Sequence, residues 1–168
     1  IESAGLKWTV VESLPVTEEI KTDSEQRERH IENYKVSLNN LAKSGIKTVV
    51  YNFMPVIDWI RTDLNFKLPN GGESMLFDFP TFAAFDMFIL KRPGAENDYP
   101  ETIRKQANKK FRQMTGEEAE KLAHNIIVVT QGFIDGTVDP TISGYKQEFL
   151  RHLKSYENSS DEQLRQNL

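Results

Sequence analysis

Two short apolar runs near the start of the chain share the same pattern. Residues 8–11 and residues 48–50 are apolar or β-branched, and a glycine shortly precedes each run, Gly5 in one case and Gly45 in the other. A glycine just past a helix can take the left-handed conformation that closes the last turn. Short runs of this kind are typical of strands that are buried on both faces. Each unit therefore predicts a helix end followed by a buried strand.

An amphipathic helix is predicted between these two strands. Ile31, Tyr34, Leu38 and Leu41 recur at spacings of three and four residues and form one apolar stripe. Two strands joined by a helix predict a parallel pair with a right-handed crossover. The repeat favours a (β/α)₈ barrel, although a doubly wound sheet would show the same pattern in two units.

The remainder of the chain has a different character. Residues 63–100 are rich in Phe, Pro, Gly and Asp and show no strand alternation. Helices are predicted over residues 101–112, from the capping box of Thr115 and Glu118 to about Val129, and over residues 145–156, with a loop over residues 132–144.

The length of this strand-poor region predicts that it has a role beyond connecting two elements. It is too long for a simple connector, and such insertions in barrel enzymes usually form a lid or an oligomer contact. The chain is therefore divided into residues 1–62 with two βα units, residues 63–145 with a mostly helical insertion, and residues 146–168 with helices that return to the barrel.

Composition narrows the class of protein. The chain has 168 residues, a formal net charge of −4 and no cysteine. This charge does not suit a nucleic-acid partner, and the lack of Cys excludes disulfides and thiolate metal ligands. No apolar run approaches the roughly 18 residues that span a membrane. The first residues read as the tail of a helix and residues 160–168 as the start of one, so we expect the chain to be part of a longer polypeptide. We expect this polypeptide to be located in the cytoplasm.

Polar residues follow both predicted strands, where ligands bind in parallel sheets. Asn52 can donate and accept hydrogen bonds with sugar hydroxyls, and Glu12 can act as a base or bind a hydroxyl. Arg61 can hold a carboxylate with two hydrogen bonds, and Trp59 can stack on a sugar face or close a pocket. Asp58 lies in the same segment and completes the set of candidates for substrate binding.

Structural roles are the alternatives for each candidate. Asn52 can satisfy backbone groups at a strand end, Arg61 can pair with Asp58 or Asp63 at the surface, and Trp59 can pack in the core. The three histidines, His30, His124 and His152, lie on predicted helices among charged residues without metal-ligand spacing, so we expect solvated helix faces there.

Several blocks of residues closely resemble the mannonate dehydratase family. They are Val-Val-Glu-Ser-Leu-Pro-Val at 10–16, Ile-Glu-Asn-Tyr-Lys at 31–35, Tyr-Asn-Phe-Met-Pro-Val-Ile-Asp-Trp at 51–59 with Arg-Thr-Asp-Leu at 61–64, and Ala-Ala-Phe-Asp-Met-Phe-Ile-Leu-Lys-Arg-Pro-Gly-Ala at 83–95. Two positions depart from the pattern: Thr17 stands where the family often has His, and Ser44 where it often has Cys. The first departure puts a substrate-side contact in doubt.

The resemblance implies a fold and a reaction. The fold is α/β, part of a TIM (β/α)₈ barrel of the xylose-isomerase-like type with a long helical insertion. The reaction is dehydration of D-mannonate to 2-keto-3-deoxygluconate in hexuronate (glucuronate) catabolism by a hydro-lyase. The implied cofactor is Fe²⁺ or Mn²⁺, whose ligands lie outside this chain. The implied partners are D-mannonate and further copies of the protein, with a dimer possible, and neither nucleic acid nor membrane.

Two other functions stay open from the sequence. One is a sugar isomerase or epimerase on the same barrel, which would release no water. The other is a non-catalytic fragment or assembly module, because two strands cannot close an eight-stranded barrel. We expect these 168 residues to be inactive and poorly folded when expressed alone, because both strands would expose apolar edges.

Overall fold

The computed structural model describes residues 1–131, residue 139 and residues 141–168. The parts of the predicted loop at residues 132–138 and 140 lie outside the described residues. The chain divides into two compact units. The first unit consists of Ile1–Pro55 and Ser155–Leu168, and the second unit of Val56–Lys154.

The first unit contains a parallel strand pair joined through a helix. In chain order it has a short 3₁₀ helix (Glu2–Ala4), β1 (Val10–Glu12), α1 (Glu18–Lys21), α2 (Arg27–Lys43), β2 (Thr48–Val50) and a last helix over Asp161–Gln166. Strands β1 and β2 are parallel, with Val10 opposite Thr48 and Glu12 opposite Val50. The prediction of a β-α-β unit is therefore confirmed.

Both predicted glycine positions have the left-handed conformation. Gly5 follows the 3₁₀ helix with φ 72°, and Gly45 comes two residues after the end of α2 with φ 84°. A side chain at either position would be strained in this backbone conformation. The glycines thus end one element and turn the chain towards the next strand, as the sequence indicates.

The prediction that these strands are buried on both faces is wrong. Val10 and Val50 are 44% and 37% exposed, and Tyr51 just beyond β2 is 49% exposed. Leu38, in the apolar stripe of α2, is also 38% exposed. The reason is that the sheet has two strands, so each strand has an unpaired edge, and the described elements do not cover both faces.

The first strands of the second unit form a hairpin that the sequence pattern did not predict. Strands β3 (Asp63–Lys67) and β4 (Glu73–Leu76) are antiparallel, and a register shift interrupts their pairing between Asp63 and Phe66. The shift explains why residues 63–100 show no regular alternation, although they contain two strands. Gly71, in the connecting turn, has φ 83°.

Helices make up most of the remainder of the second unit. In chain order they are α3 (Phe79–Ala84), which continues as a π-helix over Phe85–Leu90, a 3₁₀ helix (Ala95–Asp98), α4 (Glu101–Gln113), α5 (Gly116–His124), which continues as a π-helix over Asn125–Val129, and α6 (Ile142–Lys154). The predicted capping box is confirmed, because Thr115 Oγ1 accepts from the Glu118 amide while the Glu118 side chain accepts from the Thr115 amide. The last of these helices begins before the predicted start at residue 145.

The main apolar core of the described residues lies within this second unit. Its fully buried large side chains are Phe85, Phe149, Ile126 and Ile127. Phe85 and Phe149 meet edge to face, with ring centroids 6.2 Å apart. The core therefore joins α6 to the π-helices that continue α3 and α5.

A buried carboxylate organises the block at residues 83–95. Asp86 is 4% exposed and accepts hydrogen bonds from Arg92 Nε at 2.9 Å, Arg92 Nη2 at 2.7 Å and the Tyr99 hydroxyl at 2.8 Å. These bonds raise the pKa of Arg92, because its charged form has the carboxylate as a partner. The network fixes the chain as it leaves the π-helix and enters the next segment.

The described residues mix helices with strands, so the α/β class is confirmed. Their strands form two separate two-stranded sheets, and no closed barrel is present in this part of the chain. The division into residues 1–62, 63–145 and 146–168 by role stays a prediction.

Candidate functional site

The ends of the two parallel strands lie next to each other in the first unit. Because Glu12 pairs with Val50, the residues that follow each strand emerge at the same edge of the sheet. Asn52 Nδ2 donates to Ser13 Oγ at 3.1 Å, and the Asn52 side chain is half-buried. Its carbonyl oxygen accepts no hydrogen bond from the described residues.

Glu12 occupies the end of β1. It is exposed, and no described side chain forms a hydrogen bond or an ion pair with its carboxylate. Among the predicted site residues, the structure thus brings Glu12 and Asn52 to the same strand edge. The sequence did not single out Ser13, and the parallel register was the signal that could have placed it beside Asn52.

The other three candidates form a short segment of the second unit. The Asp58 amide donates to Gln131 Oε1 at 2.9 Å, and Asp58 Oδ1 accepts from the Trp59 amide at 2.6 Å. Ile60, between the exposed Trp59 and the half-buried Arg61, points into the core. Burial of Ile60 anchors the segment and leaves its neighbours at the surface.

Arg61 and Trp59 contact each other. The guanidinium carbon of Arg61 lies 5.6 Å from the centroid of the Trp59 ring, a distance typical of a cation–π contact. Arg61 Nη1 also donates to the Ile60 carbonyl oxygen at 2.7 Å. Neither Asp58 nor Asp63 forms an ion pair with Arg61 in the described part of the chain.

Core packing of Trp59 is excluded by its exposure of 63%. An exposed indole beside a guanidinium offers a flat apolar face next to a positive charge. Such a pair can hold a small hydroxy acid through stacking and through hydrogen bonds to its carboxylate.

The expectation for one of the histidines is wrong. His152 is 7% exposed, and its Nε2 lies within hydrogen-bond distance of the Val56 carbonyl oxygen. The spacing of three residues from the buried Phe149 places both side chains on the same face of α6. His30 is half-buried and contacts Thr17 Oγ1 through Nδ1 at 3.1 Å, whereas His124 is exposed as predicted.

The described residues do not fit a metal centre. Within residues 1–131, 139 and 141–168, no three His, Cys, Asp or Glu side chains are close enough to hold one ion. A catalytic divalent metal needs about three protein ligands. The described part of this chain therefore does not hold a metal by itself.

In the same described ranges, no helix has the length and apolar character that crossing a membrane requires.

A family model and two curated relatives match the whole length of the chain. Residues 1–168 match the family model described as D-mannonate dehydratase (UxuA). The chain is 44% identical over 168 residues to mannonate dehydratase 1 of Agrobacterium fabrum, with 100% of this chain and 40% of that protein covered. It is 41% identical over 168 residues to mannonate dehydratase of Rhizobium meliloti, with the same coverage.

The chain spans about two fifths of the length of these curated relatives. The crystal structure of mannonate dehydratase from Streptococcus suis serotype 2 is 34% identical, with 74% of this chain and 34% of that chain covered and a TM-score of 0.43. A TM-score of this size does not establish a common fold, whereas the family match covers every residue. The chain belongs to the D-mannonate dehydratase (UxuA) family.

Proposed function

We propose that the protein is a hydro-lyase that dehydrates D-mannonate to 2-keto-3-deoxygluconate in hexuronate catabolism. The observation that carries this proposal is the family match over residues 1–168, together with two relatives named mannonate dehydratase at 44% and 41% identity. A reaction of this kind on a metabolite is consistent with a location in the cytoplasm.

The fold proposed for the intact protein is a TIM (β/α)₈ barrel of the xylose-isomerase-like type. The parallel pair of β1 and β2, joined through α2, supports this proposal because it is the repeating unit of such a barrel. In a barrel the carboxyl ends of the strands line the active site. Residues 63–145 would then form a lid or a contact between copies of the protein, and a homo-oligomer is part of the proposal.

The substrate-binding roles follow from the chemistry of the strand ends. Asn52 and Glu12 would bind hydroxyl groups of the aldonate, because each has an oxygen without a partner in the described residues. Arg61 would bind the carboxylate, with Trp59 beside it as an apolar wall. Asp58 would hold the segment in place through the Trp59 amide.

The cofactor proposed for the intact protein is Fe²⁺ or Mn²⁺. The described residues do not bring together a ligand set for this ion. Its ligands would therefore come from other parts of the polypeptide, and the candidates of this chain act on the substrate.

The role of Arg61 can be tested by substitution in the intact protein. Loss of a charge-assisted hydrogen-bond pair costs roughly 2 kcal/mol, which corresponds to about a 30-fold rise in KM for D-mannonate in Arg61→Ala. Arg104→Ala is the matched control, because Arg104 is an exposed arginine of α4 with no ion pair in the described residues. Unchanged kinetics in Arg61→Ala would show that Arg61 is a surface residue without a role in binding.

The identity of the product separates the proposed reaction from the alternatives. A dehydratase gives a 2-keto acid and releases water, whereas an isomerase or epimerase gives a product with the mass of the substrate. Mass spectrometry of the reaction mixture distinguishes the two outcomes directly.

A further inference from the structure

Val56 has a backbone conformation that β-branched residues rarely adopt. Its φ is 72°, in the left-handed region, where the Cβ atom lies too close to the following carbonyl oxygen. Such a conformation costs free energy and persists only where the surrounding structure holds it, and residues of this kind cluster at active sites and ligand clamps. The conformation of Val56 therefore indicates that other groups fix the segment which this residue begins.

The first of these groups is the imidazole of His152. The side chain is buried, and its Nε2 lies within hydrogen-bond distance of the Val56 carbonyl oxygen. A carbonyl oxygen can only accept a hydrogen bond, so Nε2 carries the proton and donates it. Loss of this donor would leave the carbonyl group of the strained residue without its side-chain partner.

The second group is the amide of Gln131, which holds the same backbone two residues further on. Gln131 is 4% exposed, and its Oε1 accepts from the Asp58 amide at 2.9 Å. Its Nε2 donates to Thr130 Oγ1 at 3.2 Å, and Thr130 Oγ1 in turn donates to the Ile126 carbonyl oxygen at 3.0 Å. This chain of hydrogen bonds sets the orientation of the Gln131 amide, with its oxygen towards Asp58.

These contacts fix a segment that has no regular secondary structure. Residues 56–62 belong to no helix or strand, the Ile60 side chain is buried in the core, and the Thr62 amide donates to the Leu76 carbonyl oxygen at 2.8 Å. The segment is thus held at its start, in its middle and at its end. Between these points lie Trp59 and Arg61, whose side chains form the cation–π contact.

The hydrogen bonds of Gln131 and His152 to this segment end on backbone atoms, so neither side chain needs to touch a ligand in order to affect its binding. We infer that Gln131 and His152 are positioning residues, which hold residues 56–58 so that Trp59 and Arg61 keep the arrangement that binds a carboxylate. This inference rests on the proposed roles of Trp59 and Arg61 in substrate binding. A structural role alone would stabilise the second unit without changing affinity at these two residues.

Steady-state kinetics of the intact protein test the inference with Gln131→Leu and His152→Leu. Each substitution removes one hydrogen bond to the segment, so KM for D-mannonate should rise about fivefold while kcat changes less than about twofold, as expected when binding is lost equally in the ground and transition states. Asp86→Asn is the matched control. It alters another buried polar contact of the same unit, and none of the hydrogen bonds described for its carboxylate reaches residues 56–62, so KM should stay unchanged.

Conservative variants separate the hydrogen bond from the volume of the side chain. His152→Gln keeps an N–H donor near the position of Nε2 and should bring KM back to within about twofold of the wild type. If Gln131→Leu does not fold, Gln131→Asn replaces it, because the shorter side chain keeps an amide but moves the acceptor away from the Asp58 amide.

Fluorine NMR gives a second readout that does not depend on the reaction. In protein containing 5-fluorotryptophan, the resonance of Trp59 is the one that Trp59→Phe removes, and Arg61→Ala shows how far it moves when the cation–π contact is lost. Gln131→Leu and His152→Leu should move this resonance in the same direction, by roughly half of that shift or more. Asp86→Asn should leave it in place.

The two readouts separate failure of the inference from failure of the proposed function. A wild type that leaves D-mannonate unchanged would refute the proposed dehydration, whereas a shifted Trp59 resonance in the two Leu variants would still support the positioning role. An unshifted resonance in these variants, or a KM equal to that of the wild type in active variants, would overturn the inference. An equal rise of KM in Asp86→Asn would also overturn it, because loss of stability alone would then explain the result.

Discussion

Replacement of Asp86 by Asn tests how the block at residues 83–95 is held together. The carboxylate is buried and accepts from Arg92 and from Tyr99, so Asp86→Asn removes the charge while nearly preserving the shape. The guanidinium of Arg92 then loses its main partner. The consequence should be a loss of stability rather than a change of fold.

The magnitude follows from the burial of the two partners. Removing one member of a fully buried ion pair costs about 3–5 kcal/mol. The Arg92 side chain is 28% exposed and keeps a second partner, Asp98, at 2.6 Å. The expected cost of Asp86→Asn is therefore about 2–3 kcal/mol, below the range for a fully buried pair.

Native-state hydrogen exchange is the suitable assay, because two compact units need not unfold in one transition. In peptides covering residues 83–107, a cost of about 2–3 kcal/mol corresponds to exchange roughly 30- to 150-fold faster. Asp98→Asn is the matched control. It removes the same charge beside the same arginine, but the Asp98 side chain is 59% exposed, so its cost should stay below about 1 kcal/mol.

Equal losses of stability in Asp86→Asn and Asp98→Asn would refute this reasoning, because burial of the carboxylate would then make no difference to its contribution. A loss of stability below about 0.5 kcal/mol in Asp86→Asn would also refute this reasoning.

Two further predictions concern the dependence of stability on pH. The folded-state pKa of Asp78 is lowered from its usual 3.8, so the wild type should exceed Asp78→Asn in Tm at neutral pH, and this advantage should shrink as the pH falls from 3.8 towards the lower folded-state pKa. A Tm difference that stays constant between pH 5 and pH 2 would contradict this prediction. Burial and the hydrogen bond to Asp86 raise the pKa of Tyr99, so the wild type should lose stability as the pH rises above 10, whereas Tyr99→Phe should lose less. An equal fall in Tm above pH 10 in the wild type and in Tyr99→Phe would rule out this role of Tyr99.

Local sequence patterns predicted the order of elements in the β-α-β unit, although β1 begins and ends later than the apolar run at residues 8–11. Gly5 and Gly45 require a left-handed backbone, and the spacing of Ile31, Tyr34 and Leu41 gives α2 one half-buried stripe. The parallel register then follows from the connection. These features depend on residues close in sequence, and for that reason the pattern could reveal them.

Burial of the strands could not be predicted in the same way. It depends on which elements cover the sheet, and residues such as Val10 and Val50 look alike whether covered or exposed. The β3–β4 hairpin escaped prediction because the register shift after Asp63 breaks the alternation that identifies a strand. The burial of His152 was not predicted, because its charged neighbours indicated an exposed helix face. Its spacing of three residues from Phe149 indicated the buried face instead.

The contacts in the candidate site also differ in whether the sequence could predict them. The contact of Asn52 with Ser13 follows from the parallel register, but the contact of Arg61 with the Trp59 ring depends on side-chain conformations that no periodicity reveals.

Incubation of the intact protein with D-mannonate and Mn²⁺ tests the central claim most directly, with the products followed by mass spectrometry. We predict a 2-keto acid that is lighter than the substrate by one water and is identical to 2-keto-3-deoxygluconate. A folded, metal-loaded sample that leaves D-mannonate unchanged, or that converts it to an isomer of the same mass, would contradict the proposed function.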